Sequence, residues 1–184
     1  MQKRTQWICV LAVGIALFVA LSLCLQVPVF ENYYLCLGYV AMAVFCYSFG
    51  TVSGTIVGVF GVVLYCLLIS GLRGMPGWAL GNVAIGFGLG LTFELTKHLK
   101  NRVGKYMIWV SAVIFSTAIG ILGLKSLVDS VIKSQPFLAR VAMNLYAFVA
   151  DVVVLIIALP ICELLDKPAK KLLGDKETKA DEQN

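Results

Sequence analysis

Long apolar runs separated by short polar stretches make up most of the chain. These runs lie at about residues 7–26, 34–50, 52–70, 79–96, 105–126 and 141–164. Each approaches the roughly 20 apolar residues that a helix needs to cross a bilayer. The pattern predicts an all-α integral membrane protein with six transmembrane helices in a compact bundle. The second and third runs are short, and their boundary lies at Ser48 to Thr51.

Small residues form a stripe along the first run. In LAVGIALFVA, residues 11–20, alanine recurs at every fourth position, at Ala12, Ala16 and Ala20, with Gly14 between two of them. Positions four apart share one helix face, and a helix that meets only lipid gains nothing from keeping that face small. Small residues let two helix backbones approach closely. The stripe therefore predicts a second helical surface packed against it.

Composition and charge agree with a membrane location. Of 184 residues, 60% are hydrophobic and 14% are charged, which is too apolar for a soluble domain of this length. Lysines and arginines concentrate at residues 3–4, 97–105 and 167–171, which fall on one side when six spans are threaded. The positive-inside rule makes this side the cytoplasm and puts both termini there. The net charge of +5 thus reflects topology and does not indicate nucleic acid binding.

The domain prediction is one transmembrane domain at residues 1–166 and a cytoplasmic tail at 167–184. We expect the tail to be partly disordered from its polar composition, and Pro168 to break the last helix. Six cysteines without a C-x-x-C pair or clustered histidines support no disulfide framework and no metal site, and they fit small buried hydrophobes. The chain has no phosphate loop and no assembly of nucleophile and base, so we predict no enzyme, catalytic residue or cofactor.

Glycine concentrates in the middle of the chain. In the segment GTVSGTIVGVFG, Gly50, Gly54 and Gly58 are four residues apart and Gly61 follows three residues later, which predicts close packing between spans. The segment SGLRGMPGWALGN predicts an irregular outer loop that leads into the fourth span. Such backbone is tolerated at membrane depth only where protein covers it or where it lines a cavity.

Polar side chains within the spans need a partner or a purpose. Asp151 lies near the middle of the sixth run, and Asn144 lies two turns earlier on nearly the same face. This polar line either binds a ligand or holds the bundle together by interhelical hydrogen bonds. Trp78 and Asn82 combine a stacking surface with an amide, which suits a small heteroaromatic ring. Trp78 also fits an interfacial anchor.

Further candidates come from the outer side of the threading. Lys125 either pairs with Asp129 on one helix face or points into the bundle as a ligand donor. Arg73 either meets an anionic or carbonyl group or is solvated, and FENYYLCLGY adds aromatic and polar groups that help to close a site. We therefore predict a pocket open to the outside. Its predicted substrate-binding residues are Asn32, Tyr39, Arg73, Trp78, Asn82, Lys125, Asn144 and Asp151.

Several of these motifs occur together in one known family. The alanine stripe, the passage LGYVAMAVFCYSFGTVSGTIVGVFGVVLY and the following GMPGW resemble the S components of energy-coupling factor (ECF) vitamin transporters, in the riboflavin-type group. The similarity covers most of the first hundred residues. Beyond them it consists of the helix count and the placement of Asn144. The resemblance implies a plasma-membrane subunit, bacterial in origin, that captures a vitamin from outside.

The resemblance also implies partners and a mode of action. Ala12, Ala16 and Ala20 would dock on the transmembrane coupling subunit (T component), which contacts two cytoplasmic ABC-type ATPases. The S component would then topple within the membrane and release its substrate inside. Related riboflavin-type sequences often carry a histidine or acidic residue late in the third helix and two adjacent tryptophans in the next loop. Here VVLYCLLISG and a single Trp78 favour a smaller ring, such as hydroxymethylpyrimidine or a pyridoxine-like compound.

Three alternatives stay open. Riboflavin itself and pantothenate, the latter held through Arg73 or Lys125, remain candidate ligands. A stand-alone secondary transporter is a different class, for which inverted repeats are typical, and no clear repeat relates residues 1–92 to 93–184. The third alternative is a membrane scaffold whose helix faces of small residues serve only in assembly.

Overall fold

The computed structural model describes residues 2–24, 28–30, 33–34, 36–70 and 74–171. Seven α-helices, two π-helical segments and one short hairpin account for nearly all of them. The α-helices are α1 Gln2–Cys24, α2 Gly38–Phe49, α3 Thr51–Tyr65, α4 Met75–Thr96, α5 Arg102–Thr117, α6 Ser126–Lys133 and α7 Phe137–Lys171. The π-helical segment Cys66–Ser70 extends α3, and Ala118–Lys125 joins α5 to α6. Strands β1 Pro28–Phe30 and β2 Tyr33–Tyr34 pair antiparallel.

The predicted all-α membrane bundle is confirmed. Five helices of the described chain are long and apolar enough to cross a membrane: Thr5–Cys24, Thr51–Ile69, Met75–Thr96, Arg102–Lys133 and Phe137–Lys171. The fourth of these contains α5, the π-helical segment and α6 as one continuous rod. Helix α2 is apolar but has 12 residues, about 18 Å of helix. It is therefore shorter than the hydrocarbon core, which is about 30 Å thick.

Helix α2 lies at the centre of the bundle and packs against α1, α3, α4 and α7. Consecutive helices alternate in direction, so the starts of α2, α4 and α7 share one end with α6 and the hairpin. We call this the outer end, because the charge distribution predicts that it faces outside. The hairpin contacts α7 there. The inner end contains the α2–α3 turn and the connection between α4 and α5.

Glycines of α3 allow the closest helix approaches, as their spacing predicts. A methyl group at Gly54 would collide with the backbone of Cys46 in α2, and one at Gly58 would collide with the Met42 side chain. The predicted role of these glycines in packing between spans is thus confirmed. It brings α3 so close to α2 that the backbone of Gly58 lies beside the polar groups at the outer end.

A single residue connects α2 to α3 at the inner end. Gly50 has a φ of 85°, a left-handed conformation that favours glycine. The next residue, Thr51, donates its backbone N–H and its hydroxyl to Glu94 Oε1 at 3.2 and 2.9 Å. Helix α4 therefore supplies the cap that the first turn of α3 lacks in its own sequence.

Three expectations about helix ends and cysteines are wrong. Helix α4 begins at Met75 because Pro76 fits the first helical turn, so Trp78 lies on a helix and not in a loop. Helix α7 continues through Pro168 to Lys171, and Lys170 bonds Asp166 across the proline at 2.9 Å. Proline removes one backbone hydrogen bond, and Pro168 lies on the exposed side of α7 only three residues before the helix ends. Cys9 and Cys24 are exposed on the outer surface of α1, whereas the other four cysteines are buried.

Candidate functional site

A chain of hydrogen bonds links three helices at the outer end. Trp78 Nε1 donates to the Tyr39 hydroxyl at 2.9 Å, and that hydroxyl donates to Asn82 Oδ1 at 2.9 Å. Asn82 Nδ2 then donates to the Gly58 carbonyl at 2.9 Å. Tyr39 and Asn82 are fully buried, where unpaired polar groups would be costly. The chain therefore fixes the orientation of all three side chains.

Two of these side chains lie together because of their spacing on one helix. Trp78 and Asn82 are four residues apart in α4 and share one face. Tyr39 lies in the first turn of α2, directly opposite this face. The Trp78 ring is half-buried and meets the Tyr65 ring edge-on, with centroids 5.7 Å apart. An aromatic wall thus stands beside the hydrogen-bond chain, as the pairing of Trp78 and Asn82 predicts.

Charged side chains lie next to this chain. The Asp151 carboxylate of α7 is buried beside the Tyr39 hydroxyl and within the electrostatic range of the Lys125 ammonium. Lys125 also interacts with Asp129, one turn further along the rod. The interaction with Asp129 agrees with one of the two sequence interpretations of Lys125, and its role as a ligand donor stays a prediction. The partly buried Lys125 ammonium thus has two carboxylates within electrostatic range, as expected for charges at membrane depth.

Asn144 approaches the same region through a contact that sequence reasoning missed. Its Nδ2 donates to Ser126 Oγ at 2.9 Å, and Ser126 Oγ donates to the Ile121 carbonyl at 3.1 Å. Both side chains are buried. Ser126 directly follows the π-helical segment. This segment packs closely on α4, where Gly120 lies against the backbone of Gly81. The sequence signal for this close approach was Gly120, which lies between two isoleucines in the apolar run before Lys125.

The structure brings together six of the eight predicted site residues. With Ser126 they form what we call the outer cluster: Tyr39, Trp78, Asn82, Lys125, Ser126, Asn144 and Asp151. Asn32 and Arg73 lie outside the described residues. Whether the outer cluster binds a substrate stays a prediction. Its amides, carboxylate, ammonium and aromatic rings can stack on a flat ring and exchange hydrogen bonds with its edge.

The predicted docking stripe lies on the outside of the bundle. Ala12, Ala16 and Ala20 are exposed, whereas Gly14 and Phe18 of the same helix face inward. A side chain at Gly14 would collide with Phe45 and Val57. The three alanines and Gly14 therefore lie on different faces of α1, and the bundle itself covers the face with Gly14.

An aromatic cluster fills the inner end. Trp109 is fully buried, and its ring meets Phe93 and Tyr47 edge-on at 4.9 and 5.6 Å. The Lys105 ammonium lies 4.4 Å from the Trp109 ring centroid and pairs with Glu163 at 3.0 Å. The sequence predicts that Lys105 belongs to the positive charges on the cytoplasmic side, but it does not indicate a partner for this residue. The contact joins α5 to α7 at the inner end.

The outer cluster contains aromatic, amide and charged side chains. No group of three or more His, Cys, Asp or Glu residues that could hold a metal ion occurs in the described part of the chain. The fold defines a helical membrane protein with several spans, and the outer cluster is a group of polar side chains near one end of the bundle.

Comparison with known families then identifies the chain. The sequence model for the ECF-type riboflavin transporter, S component, matches residues 2–167, and the chain belongs to this family. It is therefore a substrate-binding membrane subunit of an ECF vitamin transporter, not an enzyme. The family implies a vitamin substrate, a T component and ATPases as partners. A comparison with curated proteins gives no match.

Proposed function

We propose that this S component captures a small, basic heteroaromatic vitamin or vitamin precursor at its outer cluster. Hydroxymethylpyrimidine or a pyridoxine-like compound is the best candidate. The observation that carries this choice is the buried Asp151 carboxylate beside Tyr39 and Lys125. A carboxylate at this depth favours a ring with an amino group or a basic nitrogen, because such hydrogen bonds are strengthened by charge.

The aromatic wall supports the same ligand class. Trp78 is half-buried and held by Tyr39 through its indole nitrogen, so its ring face is rigid. A planar ring that stacks on a rigid tryptophan loses little conformational freedom on binding. Asn82 is engaged by Tyr39 and Gly58, and we assign it the role of supporting Tyr39.

Riboflavin is the second candidate, and the family match favours it. Its larger ring system and its polar side chain would need more contacts than the outer cluster alone supplies. Pantothenate is a third, since Lys125 offers a cation for its carboxylate. Lys125 is already engaged by Asp151 and Asp129, which weakens that option.

We propose that the exposed stripe of Ala12, Ala16 and Ala20 docks on the T component. The T component in turn would couple the S component to two cytoplasmic ABC-type ATPases. Alanine permits close helix contact where lipid supplies no hydrophobic drive for association. Exposure of all three alanines leaves the stripe open to a partner.

A ligand panel tests the proposed substrate. Full-length protein in detergent is titrated with hydroxymethylpyrimidine, pyridoxine, riboflavin and pantothenate, by calorimetry and by thermal shift. We expect tight one-to-one binding of one of the first two. Tight binding of riboflavin alone would replace the proposed ligand while keeping the S-component role. Failure of all four ligands to bind or to stabilise the protein would contradict capture by this chain.

Transport assays separate this function from a stand-alone transporter and from a scaffold. Proteoliposomes that contain only this chain should show no net uptake of the bound vitamin. Addition of the T component, the ATPases and ATP should start uptake. Uptake by the chain alone would favour a secondary transporter, and assembly without any ligand would favour a scaffold.

A further inference from the structure

A groove runs along the exposed side of α5 and begins at the inner end. The described residues that line it all belong to this helix: Arg102, Val103, Tyr106, Met107, Val110 and Ser111. Their spacing repeats every four residues, which places them along one helix face. We call this feature the α5 groove. Its volume of about 500 Å³ lies within the range of clefts that hold small molecules, about 300–1,000 Å³.

The α5 groove is apolar along most of its length. Val103 and Met107 expose 70% and 68% of their surfaces. The Ser111 hydroxyl donates its only hydrogen to the Met107 carbonyl at 2.9 Å. The Tyr106 hydroxyl donates to Glu163 Oε2 at 3.0 Å, so the tyrosine contributes its ring to the wall. The groove therefore suits a hydrocarbon chain.

Arg102 makes the inner end of the α5 groove positive. This residue is exposed, and its guanidinium makes no hydrogen bond or ion pair within the described chain. Glu163 lies within its electrostatic range, but the two carboxylate oxygens already accept from Lys105 and Tyr106, each at 3.0 Å. The guanidinium therefore has donors available for an anion at the end of the groove.

The length and position of the α5 groove match one leaflet of the bilayer. From residue 102 to residue 111 the helix rises about 14 Å, whereas half of the hydrocarbon core is about 15 Å thick. The positive end lies where the charge distribution predicts the cytoplasmic surface, and the exposed Lys97 and Lys100 add charge there. The cytoplasmic leaflet is the one that carries a negative surface potential from anionic lipids.

We propose that the α5 groove binds one anionic phospholipid of the inner leaflet. An acyl chain lies along the apolar face, and the lipid phosphate accepts hydrogen bonds from the Arg102 guanidinium. Arginine suits this role because its planar group can donate two parallel hydrogen bonds to a phosphate. The site lies at the opposite end from the outer cluster and is independent of the vitamin that the protein binds.

Lipid retention tests the charged end of the site. Full-length protein is reconstituted in nanodiscs with equal amounts of phosphatidylglycerol and phosphatidylcholine, and the lipids that stay bound are measured by native mass spectrometry. Wild type should retain one phosphatidylglycerol in preference to phosphatidylcholine. Arg102→Gln should reduce this preference by about tenfold or more, the effect of a hydrogen bond to a charged group. Lys100→Gln removes an equal charge outside the groove and should reduce it by less than about fivefold.

Two tryptophan variants test the apolar part of the site. Met107→Trp fills the groove and should abolish the preference for phosphatidylglycerol. Ile108 is 44% exposed but does not line the groove, so Ile108→Trp should keep the wild-type preference. Glycerol phosphate in excess should not displace the lipid, because it has no acyl chain. Thermal unfolding verifies that each variant is folded.

Four results would overturn this inference. Equal losses in Arg102→Gln and Lys100→Gln would show that lipids respond to the overall charge of the inner end. Equal effects of the two tryptophan variants would remove the acyl chain from this face, and displacement by glycerol phosphate would assign Arg102 to soluble anions. If Met107→Trp stops uptake but leaves lipid retention unchanged, the groove belongs to the interface with the T component. Vitamin binding in detergent should be normal in Arg102→Gln, so none of these results bears on the proposed function.

Discussion

Tyr39 and Asn82 lie 43 residues apart in sequence, yet the Tyr39 hydroxyl donates to Asn82 Oδ1 at 2.9 Å in the centre of the outer end. The same hydroxyl accepts from Trp78. One phenolic oxygen thus couples the first turn of α2 to the first two turns of α4. This arrangement makes Tyr39 the residue on which the shape of the outer cluster most depends.

Tyr39→Phe tests that dependence. The substitution keeps the ring but leaves Asn82 Oδ1 and Trp78 Nε1 without their partner, so we expect a loss of about 1–3 kcal/mol of stability. Ligand affinity should fall as well, because the Trp78 ring loses its anchor. Thermal unfolding and calorimetry measure the two effects. Tyr47→Phe makes the same change two turns away on α2 and should affect binding little; equal effects of both variants would contradict the assignment.

Asp151→Asn tests the charge of the site. Loss of the carboxylate removes a charge-assisted hydrogen bond to a basic ring, which should weaken binding by about 10- to 100-fold. Asp129→Asn serves as the control, because Asp129 interacts with Lys125 from the other side. Calorimetry with the bound vitamin provides the comparison. A larger loss from Asp129→Asn would place the ligand nearer to α6 than proposed.

Ala16→Trp separates docking from capture. A large side chain on the exposed stripe should block close approach of the T component and abolish uptake, while vitamin binding by the isolated protein stays unchanged. Leu17→Trp is the control, since Leu17 is also exposed but faces about 100° away on α1. Uptake by cells and binding in detergent are measured in parallel. Normal uptake by the Ala16 variant would show that the stripe faces lipid.

Gly54→Ala tests the contact between α2 and α3. The added Cβ would lie 2.5 Å from the Cys46 backbone nitrogen, so one helix must move, at a cost of about 1–3 kcal/mol. At Gly104 the nearest atoms to an added Cβ belong to the Asn101 side chain, at 3.6 Å or more. Gly104→Ala should therefore be neutral or slightly stabilising. Thermal unfolding in the same detergent compares them, and equal stability would place α3 further from α2.

Glu163→Gln tests the ion pair at the inner end. The change leaves Lys105 without its anionic partner, and we expect a loss of about 1–2 kcal/mol, less than for a fully buried pair, because Glu163 is 30% exposed. Asp166→Asn breaks the pair with Lys170, in which the lysine is 47% exposed, and should cost about 0.5 kcal/mol or less. Ligand affinity should stay unchanged in both variants. A drop in affinity for Glu163→Gln would indicate coupling between the two ends.

Hydropathy and spacing predict much of this fold. The apolar runs predict every long helix, and the glycine spacing of α3 predicts its contact with α2. Helix ends are harder to predict from sequence. Proline usually marks a helix boundary, yet Pro76 lies at the start of α4 whereas Pro168 lies within α7. Pro76 is the second residue of α4, where its missing N–H would have no helical partner, whereas Pro168 lies in the last turn of α7. The residues around each proline do not distinguish these two positions.

Side-chain contacts between different helices could not be predicted from the sequence. Trp78 and Asn82 are recognisable as a pair because they share a helix, but Tyr39 joins them only through the rotation of α2 against α4. Ser126 is one of many serines that bond their own helix backbone. Its contact with Asn144 depends on the register between α6 and α7, which no local pattern encodes. The ion pair between Lys105 and Glu163, which are 58 residues apart, could not be predicted for the same reason.

The aromatic cluster around Trp109 bears on how cargo leaves the protein. A vitamin held among Tyr39, Trp78 and Asp151 would be separated from the inner end by the packed rings around Trp109 and the salt bridge between Lys105 and Glu163. The vitamin would then leave through the same opening by which it entered. Delivery to the cytoplasm would require the whole subunit to reorient in the membrane, driven by ATP hydrolysis in the partner ATPases.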